Sequence, residues 1–211
     1  ELNLSFTDSF FESMSGITTT GSTIITDLNT TPKSILLWRA ILQWLGGIGI
    51  IIMAITLMPL MNIGGMQLLK VSSTDTTEKI LPKTKEITIR LVIIYLVLTL
   101  LCCTFYKIFG MQLFDSFTHS MTTIATGGFS NYNNSIGHFN NFKIEVTAMI
   151  FIILGSIPFI SYIKYLSGKK DIFFTDIQIK SFIKIIFFSI LILFIYLGIL
   201  NKSFFEINLR S

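Results

Sequence analysis

The chain has 211 residues, 51% of them hydrophobic and 13% charged, with a formal net charge of +4 and a mean hydropathy of +0.70. That balance is too apolar for an ordinary soluble domain, so the useful count is of membrane spans. The two cysteines, Cys102 and Cys103, are adjacent in an apolar run. Neighbouring helical residues do not form a structural bridge, and these read as small residues of a membrane core.

In chain order, a short lead-in at residues 1–6 is followed by DSFFESMSGITTTGST at residues 8–23. The same pattern returns at residues 115–130 as DSFTHSMTTIATGGFS, matching without a gap at Asp, Ser, Phe, Ser, Met, Ile, Thr and Gly. A repeat of this kind indicates a fold built from copies of one unit. Each copy opens on an aspartate, Asp8 or Asp115, expected to be a helix N-cap. Each then continues through helix-compatible residues into a Thr/Gly run centred on Gly21 or Gly128. The helix so defined is too short to cross a bilayer, which takes about 20 residues. A short helix that enters a membrane and turns back as irregular backbone is tolerated only when buried in protein or lining a water-filled path. The two copies therefore read as re-entrant pore loops.

Residues 26–33 are a turn-rich connection with Asp27, Asn29 and Pro32 as breakers. A long apolar helix follows at 34–61, with Trp38 and Trp44 expected in an interfacial aromatic belt and Arg39 expected to snorkel to the same level. A pairing role for Arg39 inside the protein is the lesser expectation. Gly46, Gly47 and Gly49 flatten one side of this helix for a close neighbour, and Pro59 is expected to kink or end it. Residues 62–87 are polar and basic, with 71–77 (VSSTDTT) their least structured part. The second span is 88–109. After the second pore loop comes a polar segment at 131–143, then a third span at 144–165 that Gly155, Ser156 and Pro158 should interrupt beneath the second loop. A basic loop leads to a fourth span at 182–200.

The stretches 62–90 and 164–184 hold ten of the sixteen Lys and Arg residues. Positive residues mark the cytoplasmic side, so both pore loops and both chain ends are expected outside. With no signal-peptide pattern and no initiator Met, the chain reads as truncated: the span before the first loop is missing and a third unit is cut after its first span. The units expected are 1–66 (first pore unit), 67–86 (cytoplasmic linker), 87–167 (second pore unit) and 168–211 (loop and first span of a third unit).

A short helix ending in the membrane directs its negative end at the cavity and favours a cation there. The strand after it can offer backbone carbonyls in place of the ion's hydration shell. Thr19, Thr20 and Gly21, with Thr126, Gly127 and Gly128, are the right residue types. No carboxylate lies in these runs, which disfavours a multivalent-ion ring. A reading of TTTG and ATGG as mere surface turns leaves the repetition of the preceding helix unexplained. Glu12 and His119, at matching places in the two helices, read as packing or hydrogen-bonding residues rather than metal ligands, and His138 has no ligand-spaced partner. Phosphate-cradling loops, nucleophile elbows and dinucleotide fingerprints do not occur. The basic loops read as membrane anchors rather than nucleic-acid sites, and the 71–86 connection is an open candidate for a cytoplasmic contact.

ESMSGITTTGST, LLWRAILQWLGGIGIIIMAITLMP, NIGGMQLLK and FDSFTHSMTTIATGGFSNYNNSIGHFN closely resemble the Trk/Ktr/HKT potassium transporters of the bacterial TrkH type. The resemblance covers nearly the whole chain and is weaker after Ser167. It implies an all-α membrane protein of potassium-channel-like architecture, in which four units of span, pore loop and span surround one pore. It implies that Thr19, Thr20 and Gly21 and Thr126, Gly127 and Gly128 line a potassium path. Potassium is then the transported ion, with no cofactor and no catalytic residue. It also implies a multi-pass protein of the bacterial inner membrane that forms homodimers and pairs with a cytoplasmic nucleotide-binding regulatory subunit. The third and fourth filters and the gating loop of the family's third unit lie outside this sequence. The alternative is a truncated remnant or membrane scaffold with no transport of its own.

The lysine clusters generate a topological prediction. In intact cells, cysteines placed at Ser73 and Ser167 are shielded from a membrane-impermeant thiol reagent, and one at Asn134 is labelled; outside labelling at Ser73 overturns the orientation.

Overall fold

The structure, a computed structural model, describes residues 4–60, 80–168 and 170–208. Most of the expected basic linker, including 71–77, lies outside the described residues. Among those described there is no strand, and the order is α1 (Phe6–Ile17), α2 (Lys33–Leu60), α3 (Ile80–Ile108), α4 (Leu113–Ile124), a 3₁₀ helix (Ser135–Phe139), α5 (Phe142–Ser156), α6 (Phe159–Leu166), α7 (Ile172–Thr175) and α8 (Ile177–Asn208). Segments of α2, α3 and α8, at Lys33–Met53, Lys85–Ile108 and Ile177–Gly198, are long and apolar enough to cross a membrane, and α5 with α6 pass the same test as a broken pair. The protein is an all-α membrane protein.

The two repeated segments form α1 and α4, each of 12 residues. At about 1.5 Å per residue such a helix reaches roughly 18 Å, well short of the bilayer core. Both aspartates stand one turn later than the N-cap position expected of them. Ser5 caps α1, and Asp8 is its third residue, closing a capping box: the Asp8 N–H donates to Ser5 Oγ at 3.1 Å and the Ser5 N–H donates to Asp8 Oδ2 at 3.3 Å. Asp115 is likewise third in α4 after Gln112, whose side chain makes no cap bond. Its carboxylate instead accepts from Asn131 Nδ2 at 2.8 Å and from the Tyr132 hydroxyl at 3.0 Å. A carboxylate in the first turn is favourable in either arrangement, because it faces the positive end of the helix.

Between α1 and α2 the chain turns on Asp27, which accepts from the Asn29 N–H at 3.1 Å and the Thr30 hydroxyl at 2.9 Å. Pro32 stands just ahead of α2, and its carbonyl accepts from the N–H groups of Ile35 and Leu36 at 3.0 and 3.2 Å. The α5 helix ends where proline dictates: Ile157, just before Pro158, is extended with φ −69° and ψ 137°, the conformation a following proline ring enforces.

The chain divides into two units, residues 1–159 and 160–211. In the first, α4 packs among α2, α3 and α5, and α1 lies along α2. From Thr118 to Ile124 every residue of α4 is buried, whereas α1 buries Glu12, Ser15 and Gly16. The expected flat side of α2 exists, but it serves the pore helices. A side chain on Gly46 would strike the carbonyl oxygen of Ile17, the last residue of α1, and one on Gly47 would come within 2.9 Å of the Tyr95 hydroxyl and 3.1 Å of Ala125 Cβ. Gly49 faces open space, contrary to its expected place in that contact. The second pore helix repeats the arrangement: a side chain on Gly155 would come within 2.7 Å of the carbonyl oxygen of Ile124, the last residue of α4. Each pore helix thus ends with its final carbonyl against a glycine of the span that follows it.

Trp44 is half-buried against α3. Its ring lies 5.5 Å from that of Tyr95, its Nε1 donates to Thr99 Oγ1 at 3.1 Å, and the Tyr95 hydroxyl donates to its carbonyl at 3.0 Å. A partly buried tryptophan needs a partner for its one donor, and Thr99 supplies it. Trp38 is exposed. Cys102 and Cys103 are unbridged, with Cys102 fully buried. Within the second unit, Phe173 packs against Tyr162 and Tyr165 with ring centroids 5.5 and 5.3 Å apart.

Candidate filter site

Both pore helices end in the same way. The Thr19 N–H donates to the Gly16 carbonyl and the Thr20 N–H to that of Ser15, both at 3.0 Å. In the second copy, the Thr126 N–H donates to the Thr123 carbonyl at 3.1 Å and the Gly127 N–H to that of Thr122 at 3.0 Å. This is the paired closure of a Schellman motif, which needs a left-handed residue just past the helix. That residue is normally glycine, but here it is Thr19 with φ 55° and Thr126 with φ 53°. A β-branched residue in this region is an outlier costing about 1–2 kcal/mol. Such strain persists when surrounding contacts over-determine it, and it concentrates at functional sites.

Two residues on, Gly21 and Gly128 have φ 80° and 82°. Neither Thr20 nor Gly127, between them, has positive φ. The sign of φ therefore alternates across both loops. The glycines differ in surroundings. A side chain on Gly128 would meet nothing within 4 Å, so only its backbone angle demands glycine, whereas one on Gly21 would also strike the carbonyl oxygen of Gly127. That contact makes the loops direct neighbours. Of the expected site residues the structure brings Gly21 against Gly127 and Gly128; Thr19 and Gly21 are half-buried, Thr20, Thr126 and Gly128 exposed, and Gly127 buried. A cavity of about 180 Å³ opens beside the second loop, lined by Thr126, Gly128, His119, Thr122 and Ala148 among others.

Each strand is tied back to its own helix at matching positions. In the first copy the Glu12 carboxylate accepts from the Thr23 hydroxyl at 2.9 and 3.0 Å and from the Ile24 N–H at 3.0 Å. In the second, His119 Nε2 shares a hydrogen bond of 3.1 Å with the Ser130 hydroxyl, and its Nδ1 lies 3.0 Å from the Asp115 carbonyl. Glu12 and His119, read from sequence as hydrogen-bonding residues, occupy equivalent places with different chemistry.

Arg39 corrects the expectation that it snorkels. It is 2% exposed. Its Nε donates to Glu12 Oε1 at 2.7 Å, its Nη1 donates to the Ser130 carbonyl at 3.1 Å, and its guanidinium lies 4.0 Å from the centre of the Phe129 ring. A charge inside an apolar helix stays charged there only with a partner, and Glu12 is buried beside it. Gln43, one turn further along α2, carries no site signature of its own in the sequence. It is fully buried, its Nε2 donates to the Gly127 carbonyl at 2.9 Å, and its Oε1 accepts from the Phe129 N–H at 3.1 Å. The available signal was the four-residue spacing, which places Arg39 and Gln43 on one face of an otherwise apolar helix.

The segments beyond the loops are linked as well. Asn133 Oδ1 accepts from the Leu28 N–H at 2.8 Å, and its Nδ2 donates to Asp27 at 3.2 Å. Hydrogen bonds from Thr30 and then Asn133 hold the Asp27 carboxyl below its usual range. The His138 ring stacks on Tyr132 at 3.7 Å. Burial, reinforced by the Asp115 carboxylate, pushes the Tyr132 hydroxyl above its usual range. Among the described residues no three His, Cys, Asp or Glu side chains are grouped so as to hold a metal ion.

Two short helices, each ending in an irregular loop beside the other, thus lie within an all-α membrane fold. The model of the TrkH family, described as cation transport protein, matches residues 1–209, and the chain belongs to that family. The family is one of transporters, not enzymes. The chain is 39% identical over 194 residues to the Trk system potassium uptake protein TrkI of Halomonas elongata, covering 92% of this chain and 39% of that protein. It is 38% identical over 200 residues to the Trk system potassium uptake protein TrkH of Vibrio parahaemolyticus, covering 92% of this chain and 41% of that protein. The crystal structure of the potassium transporter TrkH from Vibrio parahaemolyticus superposes with a TM-score of 0.73 at 36% identity, over 86% of this chain and 36% of that one. The chain therefore spans about two fifths of the length of these relatives.

The buried ion pair generates a stability prediction. Glu12→Gln leaves the Arg39 charge uncompensated and destabilises by about 3–5 kcal/mol, while Glu12→Leu combined with Arg39→Met recovers most of that loss. Thermal unfolding of the purified protein in detergent measures both; a double variant as unstable as the sum of its single changes contradicts this account of the pair.

Proposed function

We propose that this chain supplies two filter strands of a potassium-selective path in a Trk-type uptake protein. The observation that carries the reading is the shared backbone of the two loops: a left-handed threonine followed two residues later by a left-handed glycine, with φ of 55° and 80° in one and 53° and 82° in the other. Permeant ions are conducted past backbone oxygens that substitute for water. Thr19, Thr20 and Gly21 and Thr126, Gly127 and Gly128 offer such oxygens beside one another, at the negative ends of two short helices. The names of the relatives, potassium uptake proteins, supply the ion. Potassium is the transported substrate and no cofactor takes part.

In this reading residues 1–66 and 87–167 are pore units joined by a cytoplasmic linker at 67–86, and 168–211 begin a third unit. The two strands are half of a ring of four. The protein lies in the bacterial inner membrane with its pore loops outward. It acts as a homodimer with a cytoplasmic nucleotide-binding subunit, to which the basic linker is a candidate contact.

Side chains at the two glycines test the reading. In protein expressed from its complete gene, in cells lacking other potassium uptake systems, Gly128→Ser loosens discrimination of potassium over sodium, because the loop leaves its φ region. Gly21→Asp abolishes uptake, because it puts a carboxylate on the neighbouring strand. Rubidium entry and growth at limiting potassium provide the readout. Unchanged behaviour of both variants at normal membrane levels sinks the filter assignment.

A further inference from the structure

The second loop is held by the span that belongs to the first. Three backbone groups around Gly128 are bonded to two side chains of α2: the Gly127 carbonyl to Gln43 Nε2 at 2.9 Å, the Phe129 N–H to Gln43 Oε1 at 3.1 Å, and the Ser130 carbonyl to Arg39 Nη1 at 3.1 Å. Gln43 is fully buried and makes both of its bonds to this one strand, on either side of the glycine. It also occupies the space a side chain on Gly127 would take, coming within 2.5 Å of that position with its Oε1.

We propose that Gln43 is a specificity-determining positioning residue, which fixes the direction of the Gly127 carbonyl and through it the match between the second filter strand and the ion. The proposal rests on the filter reading above. One carboxamide serves as donor and acceptor across a two-residue step, using Nε2 and Oε1 as separate atoms, and Asn is one carbon shorter. The Gly127 carbonyl is bonded on its scaffold side and abuts Gly21 of the other loop. Turning that carbonyl therefore disturbs both strands. The helix-capping bonds hold the start of each loop, but nothing else among the hydrogen bonds of the described residues reaches the Gly127 carbonyl or the Phe129 N–H. Without Gln43 the Gly127 carbonyl and the Phe129 N–H lose their hydrogen-bond partners, the direction of that carbonyl is no longer fixed, and discrimination of potassium over sodium falls.

Two variants separate this role from a general loss of structure. Gln43→Leu removes both bonds with a branched apolar side chain, since a buried Gln43→Glu would stay protonated and imitate the amide. Gln43→Met keeps the volume and removes both bonds. In protein expressed from its complete gene, uptake of potassium and of sodium is measured per molecule in the membrane, with Gly128→Ser as the reference variant. Both Gln43 variants lower the ratio of potassium to sodium transport by about tenfold, the loss expected from one buried hydrogen bond. A lesion that only reduces the amount of folded protein scales both ions equally. Gln43 variants with the wild-type ratio, beside a Gly128→Ser variant whose ratio falls, overturn the proposal and leave the filter reading standing. A wild-type ratio in Gly128→Ser as well overturns both.

Discussion

The guanidinium of Arg39 is the charge around which the two loops are arranged. It lies in an apolar helix, buried, where an uncompensated cation costs several kcal/mol. Its compensation comes from both repeats: the Glu12 carboxylate of the first pore helix and the Ser130 carbonyl where the second loop leaves its turn. Glu12 in turn holds Thr23 and the Ile24 N–H. One ion pair therefore fixes the exit of the first strand to its own helix and the exit of the second strand to the first span. The exit of each loop is thereby tied to one buried charge, which gives irregular backbone a definite position.

With the exits anchored, the entrances are set by the helix ends. Each pore helix closes with the same two backbone bonds and the same left-handed threonine, and each seats its last carbonyl on a glycine, Gly46 or Gly155. The symmetry resides in the backbone. The side chains that enforce it differ: Glu12 and Thr23 in one copy correspond to His119 and Ser130 in the other, and a capping box in one corresponds to a carboxylate bonded to Asn131 and Tyr132 in the other. A common backbone reached by different contacts is what the proposed filter role requires, since in that reading the ion meets the main chain and not the side chains that support it.

The fold class was legible because its signals are local. Apolar length announces spans, and the 8–23 and 115–130 copies announce themselves by identity. The break before Pro158 follows from proline sterics. What sequence concealed was direction. Arg39 and Trp44 carry the same residue-type signals whether they face a headgroup layer or a protein interior, and only the presence of Glu12 and Thr99 opposite decides the matter. Gln43 was invisible for a related reason: an isolated amide in an apolar run has no partner in sequence, because its partners are backbone groups 84 and 86 residues away. Sequence sets the aspartates one turn early because Asp serves equally well at the N-cap and in the first turn.

The central claim is that the two loops face one ion path with their left-handed threonines and glycines. A crystal structure of the protein grown with thallium in place of potassium tests it directly, since the heavy ion is located by its anomalous scattering. The account predicts thallium peaks bounded on one side by carbonyl oxygens of residues 19–21 and on the adjacent side by those of residues 126–128. Thallium found only away from these oxygens, with both loops ordered as described, would contradict it.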